Sequence, residues 1–282
     1  LSAAGAAHAV IGDKATDAVG RGLSKLGMPM WSSAFPLAYY PHAIKTQPSE
    51  LKVVYFPSCI NQTMGKSKGQ STPLIDKMVA LMEKAGYEVI FPKNMKNLCC
   101  GTIWESKGMP DIADRKAKEL DDALFEASDG GRYPVLCDQS PCLHRMRNTI
   151  KRVKLYEPVE FIYEYLAPHL RFVQTDEPVA LHFTCSTRHM NLNDMFVALA
   201  GMCTTKVVVP EEVGCCGFAG DKGFTDPEVN RYALRKLRKQ LEAAGVKRGF
   251  SNSRTCEIGL TVNGGVPYQS IAYLVDECTI KK

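Results

Sequence analysis

The stretches "NLCCGTIWESKG", Asn97 to Gly108, and "VGCCGFAGDKGF", Val213 to Phe224, place the same Cys-Cys-Gly knot at two widely separated points of the chain. Outward from each knot the order of features repeats, which is the signature of a duplicated unit. Upstream, an apolar β-rich run ends in a cysteine: "KVVYFPSC" closes on Cys59 and "PVALHFTC" on Cys185. A helical stretch follows, then a second strand candidate, "YEVIFPKN" in one half and "TKVVVPEE" in the other, and then the knot. Downstream, "MPDIADRKAKELDDALFEA" reads as a helix in the first half. Its counterpart opens on "TDPE", Thr225 to Glu228, with capping-box spacing and Pro in the first turn, and Val229, Ala233, Leu237 and Leu241 recur at helical spacing. A third strand candidate leads to a lone cysteine, in "YPVLCDQSPC" at Cys142 and in "RGFSNSRTC" at Cys256, and each half closes on a Pro-led segment.

Strand and helix in alternation predict an α/β protein, built as duplicated small parallel α/β lobes with pseudo-two-fold symmetry and a largely helical N-terminal lead-in. The lead-in is read as residues 1–50, the first lobe as 51–175 and the second as 176–282. A chain of 282 residues is long enough for one large or two small cored domains. Its 45% hydrophobic and 23% charged composition is that of an ordinary soluble globular protein. A net charge of +5 does not demand a nucleic-acid partner, and the basic run "RYALRKLRKQ" is the wet face of a helix with too few aromatics for a stacking platform. No run approaches the roughly 20 apolar residues of a membrane span. The first residues lack the pattern of a secretory signal, and the start at Leu1 reads as a fragment of a longer protein.

Eleven cysteines are the outlier. In a long, helix-patterned chain without a visible signal they read as metal ligands, catalytic groups or buried fillers rather than a disulfide framework. The repeat places the doubtful ones just past the carboxyl ends of strands, the edge where open α/β sheets gather ligands. Cys59, Cys99, Cys100 and Cys142 are therefore expected to converge, and likewise Cys185, Cys215, Cys216 and Cys256. Four thiolates per half make a full set for a tetrahedral metal or an iron–sulfur cluster. Gly101 and Gly217 would permit a positive φ or a close backbone approach beside the cofactor. The absence of a compact Cys-x-x-Cys knuckle leans toward iron–sulfur without deciding against zinc. Lys93, Lys96, Lys107 and Lys222 flank the knots and would stabilise an anionic cluster, or are simply solvated. His182 is read as a strand histidine or a donor to a cluster sulfur, His144 and His189 as neighbours of the ligands, and Cys203 and Cys278 as core.

At these residues the pattern of a Cys, then Cys-Cys-Gly, then another Cys, occurring twice, resembles the cysteine-rich CCG domain pair. That pair is found in heterodisulfide reductases, in the iron–sulfur subunits of glycolate oxidase and in anaerobic glycerol-3-phosphate dehydrogenases. "VVYFPSCINQTMG" and "FSNSRTCEIGL" resemble more closely the C-terminal part of FAD-linked D-lactate dehydrogenases. The resemblance covers roughly Leu51 to Cys278. It implies that the eight named cysteines are ligands, and that flavin and ferredoxin-like domains precede this part in the same polypeptide. The heterodisulfide reductase pattern ends in Cys-x-x-Cys, whereas Gln139 and Ser253 stand three before the last cysteines here, so four-Cys [4Fe–4S] clusters, up to two, are the expectation. Cys137 would be a fifth thiolate, but Ser251 gives the second half no counterpart, and Cys137 reads as a buried strand thiol.

The function so implied is electron transfer: electrons taken by FAD from a 2-hydroxy acid of the D-lactate type pass through clusters held here toward a quinone or another acceptor. The expected setting is cytoplasmic, with peripheral attachment at the inner membrane as a variant. No G-x-G-x-x-G fingerprint follows a strand, so the hydride chemistry belongs elsewhere and this part alone is not expected to be catalytic. The alternatives are a zinc-binding or metal-free docking module of the same enzyme, and a catalytic cluster site of the disulfide-reductase type.

Overall fold

The computed structural model of the protein describes residues 2–29, 31–39, 42–67 and 69–282, with side chains from residue 10 onward. Helix α1 (Ser2–Lys25) opens the chain and is kinked at Gly12. Beyond it the described residues of the lead-in are not helical; Pro29, Pro36 and Pro48 each remove a backbone donor and fix φ. This irregular segment is tied down at intervals. Asp17 of α1 accepts the backbone N–H of Ser33 at 2.7 Å, Phe35 meets Phe224 edge to face, and Leu37 bridges to Lys66.

The first lobe runs β1 (Lys52–Phe56), α2 (Cys59–Thr63), α3 (Leu74–Lys84), β2 (Glu88–Ile90), α4 (Thr102–Ser106), α5 (Pro110–Ala127), β3 (Val135–Cys137), α6 (Ser140–Thr149), β4 (Leu155–Tyr156), α7 (Pro158–Phe161) and β5 (Leu170–Phe172). The second runs β6 (Val179–Leu181), α8 (Cys185–His189), α9 (Asn193–Cys203), β7 (Val207–Val208), α10 (Pro227–Ala233), α11 (Leu237–Ala243), β8 (Arg248–Phe250), α12 (Arg254–Gly264), β9 (Tyr268–Gln269), α13 (Ile271–Glu277) and β10 (Thr279–Lys281). Each lobe has a four-stranded parallel sheet, in order β2-β1-β3-β4 and β7-β6-β8-β9, so the second repeats the first strand for strand. The last strand, β10, returns to the first lobe and pairs antiparallel with β5.

Side chains alternate across a strand, and here the two faces go to different cores. Val54 and Phe56 of β1 face Leu120, Leu124 and Met146 in a core made chiefly by the first lobe. Val53 and Tyr55 face the other way, into a core both lobes share, which also takes Leu74, Phe161, Phe196 and Tyr273. In β6, Ala180 turns to a core made chiefly by the second lobe with Phe218 and Leu237, while Val179 and Leu181 turn to the shared one. The helices lining the shared core pack α3 against α13 and α7 against α9. These pairs exchange under the duplication, since α9 is the repeat of α3 and α13 of α7, and the lobes are thereby related by a pseudo-two-fold.

One local expectation is corrected. The helix predicted from "TDPE" is two, α10 and α11, and no capping box forms: Asp226 caps without a side-chain bond, Thr225 bonds Asp226 and the Lys222 carbonyl, and Glu228 pairs with Arg231. Val229, expected on the buried stripe, is 57% exposed. Leu237 and Leu241 are buried as expected, and the turn of Leu234 to Lys236 between the helices brings Leu234 inward with them. The box that does form is at Glu157, where α7 starts.

Candidate metal centre

The two sheets meet at the carboxyl ends of their strands. There the Ser140 N–H donates to the Asn252 carbonyl at 3.0 Å, Gln139 Nε2 donates to Ser253 Oγ at 3.1 Å, and Gln139 Oε1 accepts from the Arg254 N–H at 3.0 Å. Gln139 and Ser253 occupy equivalent places before α6 and α12, so this contact marks the pseudo-two-fold. Both cysteine quartets lie along this seam.

Each quartet is built the same way. Cys59 and Cys185 are the first residues of α2 and α8, whose N-caps Ser58 and Thr184 each accept a backbone N–H from the first turn. Cys142 and Cys256 are each the third residue of a longer helix, α6 or α12, and the Cys142 thiol is pushed up by its hydrogen bond to Cys100 and by burial. The adjacent pairs lie in the loops after β2 and β7. In the second lobe Cys185 Sγ is 3.8 Å from Cys215 Sγ and Cys216 Sγ is 2.9 Å from Cys256 Sγ. In the first, Cys59, Cys99, Cys100 and Cys142 lie near enough to shift one another's protonation. All eleven cysteines are free thiols.

The knots are held rigidly. Gly101 and Gly217 have φ of +88° and +69°, a region other residues enter only with strain. A Cβ on Gly101 would meet the Ala113 carbonyl oxygen at 2.4 Å, and one on Gly217 would meet Val229 O and Ala233 Cβ at 2.8 Å. In each knot the glycine N–H donates to the first cysteine sulfur, at 3.4 Å to Cys99 and 3.3 Å to Cys215. A buried side chain ties the carbonyl of the second cysteine: Arg145 Nε donates to Cys100 O at 3.0 Å and Asn230 Nδ2 to Cys216 O. Arg145 is in turn held by Asp114 and Glu105.

Donated hydrogen bonds concentrate negative charge on one sulfur per quartet. Cys99 is lowered by its bonds from Cys100 and Cys59, and Cys215 by those from Cys185 and Cys216. Cys59 and Cys185 are raised, chiefly because each gives its hydrogen bond to that sulfur. The cation felt by Cys99 is Lys116 of α5 and the one felt by Cys185 is Arg188. Of the lysines expected to serve the clusters, Lys93 pairs with Glu126 and Lys107 with Asp221, at 2.8 Å across the two knot loops.

Cys137 is fully buried in β3, and Cys203 and Cys278 are buried in contact with one another at the ends of α9 and α13. The His144 and His189 rings face each other across the seam, centroids 5.6 Å apart. Residues that the sequence reading missed hold the quartets in register. Arg254, the largest fully buried side chain, reaches from α12 to Asn61 Oδ1 on α2 at 2.9 Å, to Ser67 Oγ, to the Gly65 carbonyl and to Glu257 at 2.6 Å. Asp138 accepts from Tyr55 Oη at 2.8 Å and the Ser58 N–H at 2.9 Å, fixing the turn before Cys59.

Among the described residues no group of three or more His, Cys, Asp or Glu side chains surrounds a single-ion position; in the second lobe the thiols meet in two pairs, Cys185 with Cys215 and Cys216 with Cys256. Four thiols from three segments, amide donors aimed at sulfur and glycine-walled loops are a donor set that suits a thiolate-bound inorganic core larger than one ion.

The family model of the cysteine-rich domain CCG matches residues 53–147 and again residues 179–261, one match on each lobe and together more than half of the chain. The chain belongs to the cysteine-rich CCG domain family. Among curated proteins this CCG pair is 22% identical over 248 residues to lactate utilization protein A 1 of Bacillus mycoides (strain KBAB4), covering 80% of this chain and 97% of that protein. Among solved structures, a hypothetical protein from Helicobacter pylori superposes with a TM-score of 0.56 at 10% identity, over 92% of this chain and 53% of that one, a likeness of fold alone. An aspartate racemase homologue from Pyrococcus horikoshii OT3, at 14% identity over 80% of this chain and 96% of its own, reaches only 0.33. Among the described residues no helix of the CCG pair is long and apolar enough to cross a membrane.

Proposed function

We propose that this chain is the iron–sulfur electron-transfer part of a lactate-oxidising system, holding up to two [4Fe–4S] clusters. Cys59, Cys99, Cys100 and Cys142 would hold one and Cys185, Cys215, Cys216 and Cys256 the other. The observation that carries this reading is the double quartet, four thiols gathered at the strand ends of each lobe by the same three kinds of segment. The lactate-utilization relative supports the substrate class. A bound cluster supplies one-electron transfer without proton or group transfer. The protein's own part is to keep the thiols as ligands and to set their surroundings. Gly101 and Gly217 present N–H donors to Cys99 and Cys215, and Lys116 and Arg188 offset charge near the exposed rim. In this reading FAD in a separate domain oxidises the 2-hydroxy acid, and electrons leave for a quinone or another acceptor.

Anaerobic reconstitution with iron and sulfide tests it. The protein is expected to give a brown, reducible species with acid-labile sulfide, and the Cys100→Ser/Cys216→Ser variant to lose it. A parent that binds zinc alone, or a double variant that loads as well as the parent, would replace this reading with a structural module.

A further inference from the structure

The two knots part company at the residue after the glycine: Thr102 follows Gly101 in the first lobe and Phe218 follows Gly217 in the second. Thr102 opens α4, and its hydroxyl Oγ1 lies 3.2 Å from Cys100 Sγ. Phe218 carries no hydroxyl. Its ring is fully buried and packs edge to face on Phe224, centroids 4.9 Å apart, in the core made chiefly by the second lobe. Among the described residues the side-chain sulfurs of the second quartet meet one another and the Gly217 N–H, and no hydroxyl.

The other hydrogen bonds that hold the knots are matched between the lobes. The glycine N–H reaches the first knot sulfur at 3.4 Å in one and 3.3 Å in the other. The carbonyl of the second knot cysteine is held in both, by exchanged means. Arg145 stands three residues after Cys142 and Gly259 three after Cys256, while Ala113 and Asn230 are each the fourth residue of α5 or α10. The first lobe thus combines a large Arg145 with a small Ala113, and the second a large Asn230 with a small Gly259, where a Cβ would meet Asn230 Nδ2 at 2.4 Å. The Arg145 guanidinium adds no net positive charge, because Glu105 and Asp114 both pair with it. His182 does not replace the absent hydroxyl in the second lobe: its Nδ1 lies 3.3 Å from Ser251 Oγ, and its Nε2 has no hydrogen-bond partner. The Thr102 hydroxyl is the difference that touches sulfur.

We propose that Thr102 tunes the sulfur-rich centre of the first lobe: its hydroxyl donates to the Cys100 sulfur and makes that centre take an electron more readily, a contribution the second centre lacks. This rests on the cluster reading above. A ligating thiolate has no proton to give, so with the centre bound the hydroxyl is the donor of the pair. Reduction adds one electron and breaks no bond at these residues. It increases the negative charge shared by the ligand sulfurs, and a hydrogen bond to sulfur stabilises the more negative state. The hydroxyl keeps its proton throughout, so Thr102 is neither a ligand nor a proton source.

The test is a potentiometric titration with dithionite, followed by EPR, of the anaerobically reconstituted protein and its Thr102→Val variant, which keeps the branched shape and removes the hydroxyl. The signal lost in Cys216→Ser identifies the second centre and the one retained identifies the first. In Thr102→Val the reduction equilibrium of the first centre should fall about tenfold, about 59 mV for one electron, with the second unmoved. Thr102→Ser, which keeps the hydroxyl, should stay close to the parent. If the Val variant does not load, Thr102→Ala removes the same donor in less volume; failure of both to load would make Thr102 a requirement for assembly and overturn the tuning role. A first-centre potential that stays in place, a fall shared by both centres, or a Ser variant that falls as far as Val overturns the inference while leaving the cluster reading intact. A parent that takes up no iron overturns the cluster reading and this inference with it.

Discussion

Replacement of Arg254 by Met is expected to destabilise the protein by about 3 kcal/mol, and the reasoning fixes why it should be neither much less nor much more. The guanidinium is 0% exposed and serves four partners, Asn61, Ser67, the Gly65 carbonyl and Glu257. Breaking a buried ion pair by removing one member typically costs about 3–5 kcal/mol, because the other charge stays buried and unpaired. Glu257 has a partial escape. Burial already pushes its carboxyl up to about 7, against the opposing pull of Arg254, so without the arginine it takes up a proton near neutral pH at small cost. That places the loss at the lower end of the range. The Arg254→Met/Glu257→Leu pair, which removes both charges, should recover stability to within about 1–2 kcal/mol of the parent. Urea denaturation of the three proteins at pH 7, followed by far-UV circular dichroism, reads these differences. A single variant within about 0.5 kcal/mol of the parent, the range of an ordinary surface substitution, or a double variant no better than the single, would refute the assignment of Arg254 as the charge-paired bolt between α12 and α2.

Glu157 is fully buried, accepts from Ser140, Asn252 and the Val159 N–H, and is raised from 4.5 to about 7 by burial. Below pH 4.5 both folded and unfolded chains hold this proton; between 4.5 and 7 only the folded chain does, so stability should fall as pH rises through that window, by up to roughly 3 kcal/mol. Glu157→Gln should flatten the dependence of the urea midpoint on pH, and a variant as steep as the parent would contradict this. Gly217→Ala should cost about 2–5 kcal/mol, the left-handed backbone penalty together with the overpacking against α10. Gly245→Ala, with φ of +64° but nothing within 4 Å of its Cβ, should cost only the first part, about 1–2 kcal/mol, in the same assay. Equal losses at the two glycines would show that the knot is not packed as described.

The duplication was legible because its signals are local or periodic. Apolar runs such as "KVVYFPSC" read as strands, the knots repeat without any need for folding, and the Cys59 and Cys185 positions follow from strand ends alone. The eight cysteines could be grouped from sequence because a parallel α/β unit brings every strand's carboxyl end to one edge. Less legible was the course of the helix after the second knot. Its apolar residues fit helical spacing, yet the chain breaks at Leu234–Lys236 and leaves Val229 in solvent, because packing on α12 and not periodicity chose which side is buried.

The sequence by itself determined the doubling of the unit and the order of the first three strands of each sheet, since these depend on residue type and spacing along the chain, while the fourth strands β4 and β9 and the β5–β10 pair went unread. What faces what across the seam was decided only by the tertiary structure. Arg254 reaches Asn61, Asn252 reaches Glu157, and Lys107 reaches Asp221, each pair joining the two halves. The unpaired Nε2 of His182 was equally invisible, because a hydrogen-bond inventory exists only once Ser251 has been brought beside the ring. Burial is a property of the assembled fold. The same arginine, glutamate or histidine would be solvated and unremarked in an isolated lobe, and it acquires its energetic weight only when the two strand edges close over it and remove water.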